Sequence, residues 1–445
     1  GLAAEVHEQN RILQENSKIP LLIAANSEAG GDGACKAGTY VGYQIKLGAT
    51  GDPRFAYEMG RISGIESSAI GCNWAFAPVV DLLLNWRNPI ISNRAYGDDA
   101  DFVLARAKEY MRGMAESGVL CAMKHYPGDG VDERDDHLSS SINSMSTDAW
   151  DATFGKVYAG MIEAGVPSLM VGHIMLPAYQ RHFSPGTTTA DLLPASLSKE
   201  ITTDLLKGKL GFNGLVVTDA SHMVGMTAAM SRRDLVPAAI AAGCDLFLFF
   251  NDPDEDLQWM AEGVRNDVIS TERLHDALRR ILGLKARLGL HLKAKTEIVP
   301  PADIALARIG LPENTAIAPM VSEKAITLVK NTDPSILPVT PERYRRILII
   351  PVKGPDNPAA AFFSSPAKPW DDLAERLRAA GHEVTVYESL LDRVMKMPEE
   401  DRGKALASMY SGKAPISQLT DNYDLIIDVA KVVGGMQPVE RVSRV

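Results

Sequence analysis

The chain has 445 residues, of which 46% are hydrophobic and 6% aromatic, and it carries a formal net charge of −10. This length exceeds the ~250–300 residues at which a single hydrophobic core stops growing, so two domains are expected. The acidic balance excludes nucleic acid and anionic membranes as main partners, because both favour a basic protein face, and it suits a neutral substrate. No stretch approaches the ~20 consecutive apolar residues of a membrane-spanning helix.

The first residues, GLAAEVHEQNRILQ, predict a helix and lack the basic, apolar and small-residue regions of a signal peptide. A cytoplasmic protein is expected on this basis, and one βα unit is expected to precede the helix that starts at Gly1. The four cysteines are sparse, and three of them lie in or beside apolar runs, which favours buried free thiols in a reducing compartment. They are Cys35, Cys72, Cys121 and Cys244.

Six short apolar runs alternate with helix-length amphipathic segments such as 99–117 and 147–165. The runs are IPLLIAA (19–25), WAFAPVVDL (74–82), GVLCAMKH (118–125), PSLMVGHI (167–174), GLVVTDA (214–220) and GCDLFLFF (243–250). This alternation predicts an α/β fold with a parallel sheet covered by helices. Over residues 1–292 it favours a (β/α)8 TIM-type barrel over a doubly wound sheet, with an amphipathic helix at 273–290 closing it.

Residues 293–320 are rich in Pro and Ala without an apolar period, which predicts a linker. From residue 321 the apolar pattern resumes and predicts a second, smaller α/β sandwich domain over 321–445, whose last strand lies near the end of the chain. Its strand-like runs are AITLVKN (325–331), RRILIIPV (345–352), GHEVTVYE (381–388) and YDLIIDVAKVV (423–433).

Chemistry in a (β/α)8 barrel takes place at the carboxyl ends of the strands, so the polar residues that end the apolar runs are candidates for one site. These residues are Asn26, Glu28, Asp81, Lys124, His125, His173, Asp219 and Asn251. Each alone has a structural explanation, since a strand-end Asp often caps the next helix and a strand-end His is often a hydrogen-bonded core residue. Asp219 is the sharpest candidate, as nucleophile, metal ligand or base. We interpret Asp81 as a positioning residue.

A second acid or base follows the run that ends at His125. Gly128 and Gly130 predict a tight turn, after which a long polar loop can reach over the mouth of the barrel. His137 lies two residues after Asp135, so an extended segment would place both side chains on one side and let the carboxylate orient the imidazole. Such a dyad can shuttle protons near neutral pH, although a merely solvated acidic loop explains the composition equally well.

Metal chemistry is disfavoured by the same residues. The segment DGVDERDD lacks the ligand spacing of a calcium loop. A site built from His125, His173 and Asp219 would place a metal cation beside Lys124. No metal and no cofactor are therefore expected.

The ordered motifs of the chain resemble glycoside hydrolase family 3, and within it the β-N-acetylglucosaminidase branch. They are SEAGG (27–31), GCNWAFAPVVDLLLNWRNPIISNRAYGDDA (71–100), KHYPGDG (124–130), DDH (135–137), GFNGLVVTDA (211–220) and SEKAITLVKN (322–331). The resemblance implies a retaining, exo-acting hydrolase with Asp219 as the nucleophile and His137, paired with Asp135, as the general acid/base. It further implies that Arg94, Lys124 and His125 bind sugar hydroxyls, and we add Asn26, Asp81 and His173 to the substrate-binding residues.

Two positions depart from the family pattern. Asn26 stands where an Asp usually grips the sugar, so the negative charge is lost there. Asp136 replaces the small residue common in the middle of the dyad, and its charge should favour the imidazolium form of His137.

Three other functions stay open at this level. A phosphorylase would use phosphate in place of water, a β-glucosidase would not require the N-acetyl group, and a sugar-binding barrel would not be catalytic. The expected partner is a small carbohydrate, and a homodimer is compatible with the sequence.

Overall fold

The computed structural model describes residues 1–352, 368–411 and 417–430. The chain divides into two compact units, Gly1–Thr327 and Leu328–Val445. The strands of the first unit are β1 Ala24–Ala25, β2 Trp74–Ala75, β3 Leu120–Tyr126, β4 Ser141–Ile142, β5 Ser168–Val171, β6 Ile174–Met175, β7 Leu215–Ala220 and β8 Leu246–Leu248. Its helices are α1 Ala3–Asn16, α2 Gln44–Ala49, α3 Arg54–Ala69, α4 Ala100–Ala115, α5 Thr147–Trp150, α6 Lys156–Glu163, α7 Pro177–Phe183, α8 Val224–Thr227, α9 Arg232–Ala242, α10 Pro253–Arg265 and α11 Thr271–Arg287, followed by α12 Lys295–Ile298, α13 Ala302–Leu306, α14 Pro312–Thr315 and α15 Ile317–Lys324.

Six of these strands form one parallel sheet in the order β1-β2-β3-β5-β7-β8, which is their order along the chain. Each predicted apolar run of the first unit contributes one of them. Within the described residues β8 and β1 are the two edges of this sheet and do not pair with each other. The structure therefore shows a parallel α/β sheet of six strands, and a closed barrel of eight strands stays a prediction.

One face of the sheet is lined by alternate residues of its strands. Since successive side chains of a strand point to opposite faces, Leu215 and Val217 share the face that Asp219 continues, and Ala122 shares the face of Lys124. The apolar residues of this row form one cluster with Leu284 of α11: they are Trp74, Ala122, Met170, Leu215 and Val217. The predicted closing helix is thus confirmed, and its apolar stripe packs on the face of the sheet that leads to the strand ends.

The segment 293–320, for which the sequence predicts a linker, lies within the first unit and carries short helices that pack on the rest of it. Pro300 accepts a 2.7 Å hydrogen bond from Nε2 of His7, and the Gly310 N–H donates to Glu66 at 3.1 Å. Val321 belongs to the main apolar core. The prediction failed because helices of four to eight residues have little periodicity of their own and depend on tertiary contacts.

The second unit contains a three-stranded parallel sheet in the order β10-β9-β11. Its elements are β9 Arg346–Val352, α16 Pro369–Ala379, β10 Glu383–Val386, α17 Leu390–Met395, α18 Glu399–Ser411, α19 Ser417–Thr420 and β11 Leu425–Ala430. Ile347, Ile349 and Ala374 form its buried apolar cluster. This arrangement is α/β, as predicted; the sandwich itself stays a prediction, and residues 431–445 lie outside the described part.

The run AITLVKN (325–331) forms no strand, although its composition is strand-like. Ile326 and Val329 are 82% and 90% exposed. No neighbouring strand pairs with this run in the described part of the chain, so its apolar content does not produce extended pairing.

The four cysteines are buried and free, which confirms the prediction of unpaired thiols. None of the described helices combines the length and the low polarity that crossing a membrane would require.

Candidate active site

Lys124 and Asp219 lie at the carboxyl ends of β3 and β7. Both continue inward-facing rows, so the pleat of the sheet aims them at one region above its apolar cluster. The side chain of Asp219 is 16% exposed, and its Oδ1 accepts a 2.7 Å hydrogen bond from the N–H of Ala220. Oδ2 lies 4.0 Å from Nε2 of His125. A carboxylate oxygen of Asp219 is thus held beside basic side chains near the surface of the site.

A buried ion-pair network surrounds Glu28, which follows β1. Arg94 donates to both carboxylate oxygens of Glu28, at 2.7 and 2.8 Å, and Nζ of Lys124 lies 2.6 Å from Oε1. Lys124 also donates to Oδ1 of Asn26 at 2.6 Å. Burial alone would raise the pKa of Glu28, but the charges of Arg94 and Lys124 hold it well below its usual range. The network fixes two cationic donors at the strand ends, and Glu28 offsets part of their charge.

His125 connects this network to a buried carboxylate. Its Nδ1 donates to Oδ2 of Asp81 at 2.7 Å, and Nη2 of Arg94 lies 3.2 Å from its Nε2. Asp81 is fully buried and also accepts from the main-chain N–H groups of His125 and Asp129. Asp81 therefore orients the imidazole and the loop after β3, which agrees with the positioning role inferred from the sequence.

The electrostatics favour a charged Asp219. Burial by itself would raise its pKa. Electrostatic interactions with His125, His173 and Lys124 outweigh this and lower its pKa below the usual value. Burial also lowers the pKa of Lys124, against the attraction of Glu28.

The Asp135–His137 dyad forms as predicted from the two-residue spacing. Nδ1 of His137 donates to Oδ1 of Asp135 at 2.8 Å, and Oδ1 of Asp136 lies 3.3 Å from the same nitrogen. Burial alone would lower the pKa of His137, but its interactions with Asp135 and Asp136 raise it to about 10. Nε2 makes no hydrogen bond among the described residues, and the side chain is 33% exposed.

The loop that carries the dyad is attached to the segment after Asp219. The N–H of Val224 donates to the carbonyl of His137 at 3.2 Å, and the N–H of Gly225 donates to the carbonyl of Asp136 at 2.8 Å. A Cβ at Gly225 would lie 3.0 Å from that same carbonyl of Asp136 and from His173, so a larger residue there would push these neighbours apart by a few tenths of an ångström. The two stretches of chain are therefore held together through their backbones.

His173 is fully buried, and both of its ring nitrogens are engaged. Nε2 donates to the carbonyl of Ala220 at 3.0 Å, and Nδ1 lies 2.8 Å from Oγ of Ser196. Burial lowers the pKa of His173, so Nδ1 accepts from the hydroxyl at neutral pH. His173 thus supports the end of β7, and a hydrogen bond between substrate and either ring nitrogen would require that nitrogen to give up its present partner.

The remaining strand-end residue from the sequence, Asn251, does not join this group. It is exposed beyond the end of β8, and its main-chain N–H donates to Asp256. In its vicinity the rings of His222 and Phe249 stack with centroids 5.9 Å apart and planes inclined by 24°. Sequence reasoning missed this exposed pair because neither residue ends an apolar run.

Two metal arrangements can be compared with this geometry. The set of His125, His173 and Asp219 is not a ligand cluster, because His173 has no free ring nitrogen. In the described part of the chain, the group with metal-ligand spacing is the dyad with Asp136, whose ligand atoms lie within 4.8 Å of one another. Nδ1 of His137 already donates to Asp135, so a cation bound between these atoms would have to replace that proton.

The comparisons with known proteins identify the family of the chain. Residues 3–284 match the glycosyl hydrolase family 3 N-terminal domain. The chain belongs to glycosyl hydrolase family 3, and it is an enzyme of that class.

Among curated relatives, the β-N-acetylglucosaminidase/β-glucosidase of Cellulomonas fimi is 41% identical over 430 residues, covering 97% of this chain and 72% of the relative. The β-hexosaminidase of Chromobacterium violaceum is 30% identical over 278 residues, covering 61% of this chain and 71% of the relative.

Two solved structures resemble the chain over nearly its whole length. The β-glucoside phosphorylase BglX has a TM-score of 0.86 at 35% identity and covers 98% of this chain and 75% of its own. The family 3 β-N-acetylglucosaminidase from Paenibacillus sp. str. FPU-7 has a TM-score of 0.75 at 26% identity and covers 97% of this chain and 76% of its own.

Proposed function

We propose that the protein is a retaining, exo-acting β-N-acetylglucosaminidase, in which Asp219 is the nucleophile and His137 the general acid/base oriented by Asp135. The observation that carries the proposal is the pair of opposite charges: a carboxyl whose pKa is lowered at the end of β7, and an imidazole whose pKa is raised in the loop attached beside it. The name of the Cellulomonas fimi relative supports the substrate class.

The mechanism is a double displacement. A carboxylate oxygen of Asp219 attacks the anomeric carbon while Nε2 of His137 gives its proton to the departing oxygen, so a glycosyl ester forms and the alcohol leaves. The neutral imidazole then removes a proton from water, which attacks the same carbon and releases Asp219. Each step restores the protonation state that the other requires.

The residues around Glu28 bind the sugar in this proposal. Arg94 and Lys124 are donors whose two positive charges are offset by the nearby carboxylates of Glu28 and Asp219, so they suit the hydroxyl groups of a neutral sugar. Asn26 accepts from Lys124, which leaves its amide N–H groups available as donors. Asp81 and His173 act indirectly, by holding His125 and the end of β7.

The proposal is tested with two variants. Asp219→Asn should reduce turnover of nitrophenyl N-acetylglucosaminide by at least roughly 10³-fold, because the neutral amide cannot form the glycosyl ester. His137→Ala should strongly reduce the turnover of substrates with poor leaving groups and only slightly reduce that of activated aryl glycosides, because the departing aryl group needs no proton.

A mechanism-based fluorosugar identifies the nucleophile directly. The expected result is a covalent label on Asp219, found by mass spectrometry of peptides. A label on another residue would contradict the assignment of Asp219 as the nucleophile. An equal loss of turnover on activated and unactivated substrates in His137→Ala would contradict the assignment of His137 as the general acid. Ser231→Ala, which removes the side-chain cap at the start of α9, controls for general effects of substitution.

A phosphorylase is the second candidate, and the state of His137 favours it. An imidazole with a pKa of about 10 regains its proton quickly at neutral pH, and an imidazolium cannot activate water. Phosphate needs no such activation and is attracted by the positive ring. The likeness to the phosphorylase BglX supports the same reading.

Product analysis decides between the two acceptors. In phosphate buffer the hydrolase releases free sugar, whereas the phosphorylase releases sugar 1-phosphate. The same reactions on nitrophenyl N-acetylglucosaminide and nitrophenyl glucoside show whether the N-acetyl group is required or a β-glucosidase is present. Sugar 1-phosphate as the main product would replace the hydrolytic assignment and leave the nucleophile unchanged.

A further inference from the structure

A cavity of about 480 Å³ lies at the amino ends of β5 and β7, away from the strand ends that carry the candidate active site. Residues 165–167 and 211–215 form two of its walls, and the face of α11 from Asp276 to Arg287 forms the third. Leu215 starts β7 and Asp219 lies four residues further on, which corresponds to roughly 13 Å along a strand. The cavity is therefore separate from the catalytic cluster.

Three arginines on one face of α11 give this cavity a positive charge. Arg280 donates to the carbonyl of Gly214 at 3.0 Å and pairs with Asp276 at 3.2 Å. Arg279 is 73% exposed and lies 3.6 Å from Asp276. Arg287 is exposed and has neither a hydrogen bond nor an ion pair within the part of the chain that the structure describes.

Asp276 cannot neutralise this face, because it is shared among several cations. It also contacts Arg273 on its own helix and lies 3.6 Å from Nζ of Lys207. Arg273 and Lys207 also pair with Asp245, so two carboxylates face four cations here and the group keeps a net positive charge. The guanidinium groups of Arg279 and Arg287 remain available in a molecule whose net charge is −10.

The walls of the cavity add neutral donors and apolar surface. The main-chain N–H groups of Gly211, Asn213 and Gly214 donate no hydrogen bond to any described residue. Ile162 and Pro167 line the opposite side. Guanidinium forks and free main-chain N–H groups are the donors that bind oxyanions, and the volume exceeds what a lone phosphate fills.

We propose that this cavity binds an organic phosphate. The phosphate group contacts Arg279 and Arg287, and the organic part lies on Ile162 and Pro167. This site does not depend on the acceptor or the substrate used by the catalytic cluster.

The proposal is tested by calorimetric titration of the full chain with ribose 5-phosphate, AMP and phosphoenolpyruvate, with inorganic phosphate and ribose as partial probes. At least one organic phosphate should bind more tightly than both partial probes, with an affinity that falls as NaCl is raised. Arg287→Glu should weaken that binding by at least about tenfold, because a charge-assisted contact is replaced by repulsion.

A second variant tests the cavity without changing its charge. A Cβ at Gly283 would meet no atom within 4 Å, so Gly283→Leu should fold normally and fill the cavity mouth. It should abolish binding of the same ligand while turnover of a nitrophenyl glycoside is kept. Matched controls are Arg265→Glu, an exposed helical arginine, and Gly403→Leu, a helical glycine with equally open surroundings.

The outcomes that overturn the proposal are specific. One is that no organic phosphate binds more tightly than inorganic phosphate. The other is that binding survives both Arg287→Glu and Gly283→Leu, which would place the ligand elsewhere.

Discussion

Two carboxylates, those of Asp135 and Asp136, lie beside Nδ1 of His137 and stabilise the protonated imidazole. Asp135 provides the hydrogen bond at 2.8 Å, while Asp136 adds a second negative charge at 3.3 Å. Oδ1 of Asp136 is buried, and its proximity and its charge both raise the pKa of the imidazole. Nε2 faces no described partner and keeps its proton for a leaving group.

This arrangement predicts the alkaline limb of the pH profile. For a substrate with a poor leaving group, kcat/KM should be constant around neutral pH and fall as the pH rises through about 10, where His137 loses its proton. Asp136→Asn should move this limb to lower pH by about one unit, because one of the two charges is removed. The measurement is a pH series of initial rates.

Asp148→Asn, at an exposed aspartate further along the chain, is the control and should leave the limb in place. An unchanged limb in Asp136→Asn would show that this carboxylate does not act on His137. The raised pKa of His137 also affects stability. Because folding raises this pKa, the dyad stabilises the folded state below pH 6.5, and this contribution is lost as the pH rises through about 10.

Individual residues differed in how far the sequence could predict them. The positions of Lys124 and Asp219 could be predicted, because strand alternation determines which face of the sheet a residue at the end of an apolar run lies on. The pairing of Glu28 with Arg94 was not, since these residues are 66 positions apart and no local pattern relates them. For His173 the strand-end position was visible, but its bond to Ser196 depends on how a distant loop packs.

At the scale of elements, the turn after β3 depends on glycine. Gly130 has φ +104°, and a Cβ there would lie 1.9 Å from the carbonyl oxygen of Leu82. The backbone of Leu82 and Leu83 would have to move, and the dyad loop begins immediately after this turn. The sequence predicted the turn from Gly128 and Gly130 because such positions need a left-handed backbone.

Gly130→Ala should therefore lower the free energy of unfolding by at least about 2 kcal/mol and reduce activity as well. Denaturant unfolding and initial rates provide the two measurements. Gly118→Ala is the matched control: its φ is +70°, but an added Cβ meets nothing within 4 Å, so only the backbone cost applies. Equal effects of the two substitutions would mean that the contact with Leu82 is unimportant.

Element prediction was reliable where a long periodic segment packs on the sheet and unreliable elsewhere. The helices α4 and α11 appear within three residues of the bounds that their amphipathic patterns indicate. The short helices after residue 293 and the exposed run 325–331 have compositions that do not determine their structure. Their conformation depends on which neighbours they find.

For the whole molecule, the excess negative charge determines how electrostatic attraction or repulsion affects the association of substrate. A neutral glycoside is neither attracted nor repelled, so kcat/KM for nitrophenyl N-acetylglucosaminide should change by less than about twofold as NaCl is raised. Repeating the series with sodium acetate separates screening from a specific chloride effect. A steep fall with both salts would indicate that the preferred substrate is charged.

The backbone hydrogen bonds from Val224 and Gly225 to the dyad loop have a mechanical consequence. Because of these bonds, we expect the segment after β7 and the loop that bears His137 to move together. The distance between the Asp219 carboxylate and the His137 imidazole should then vary less than the position of either group. We therefore expect cleavage of the glycosidic bond to be little affected by motion of the other loops around the site.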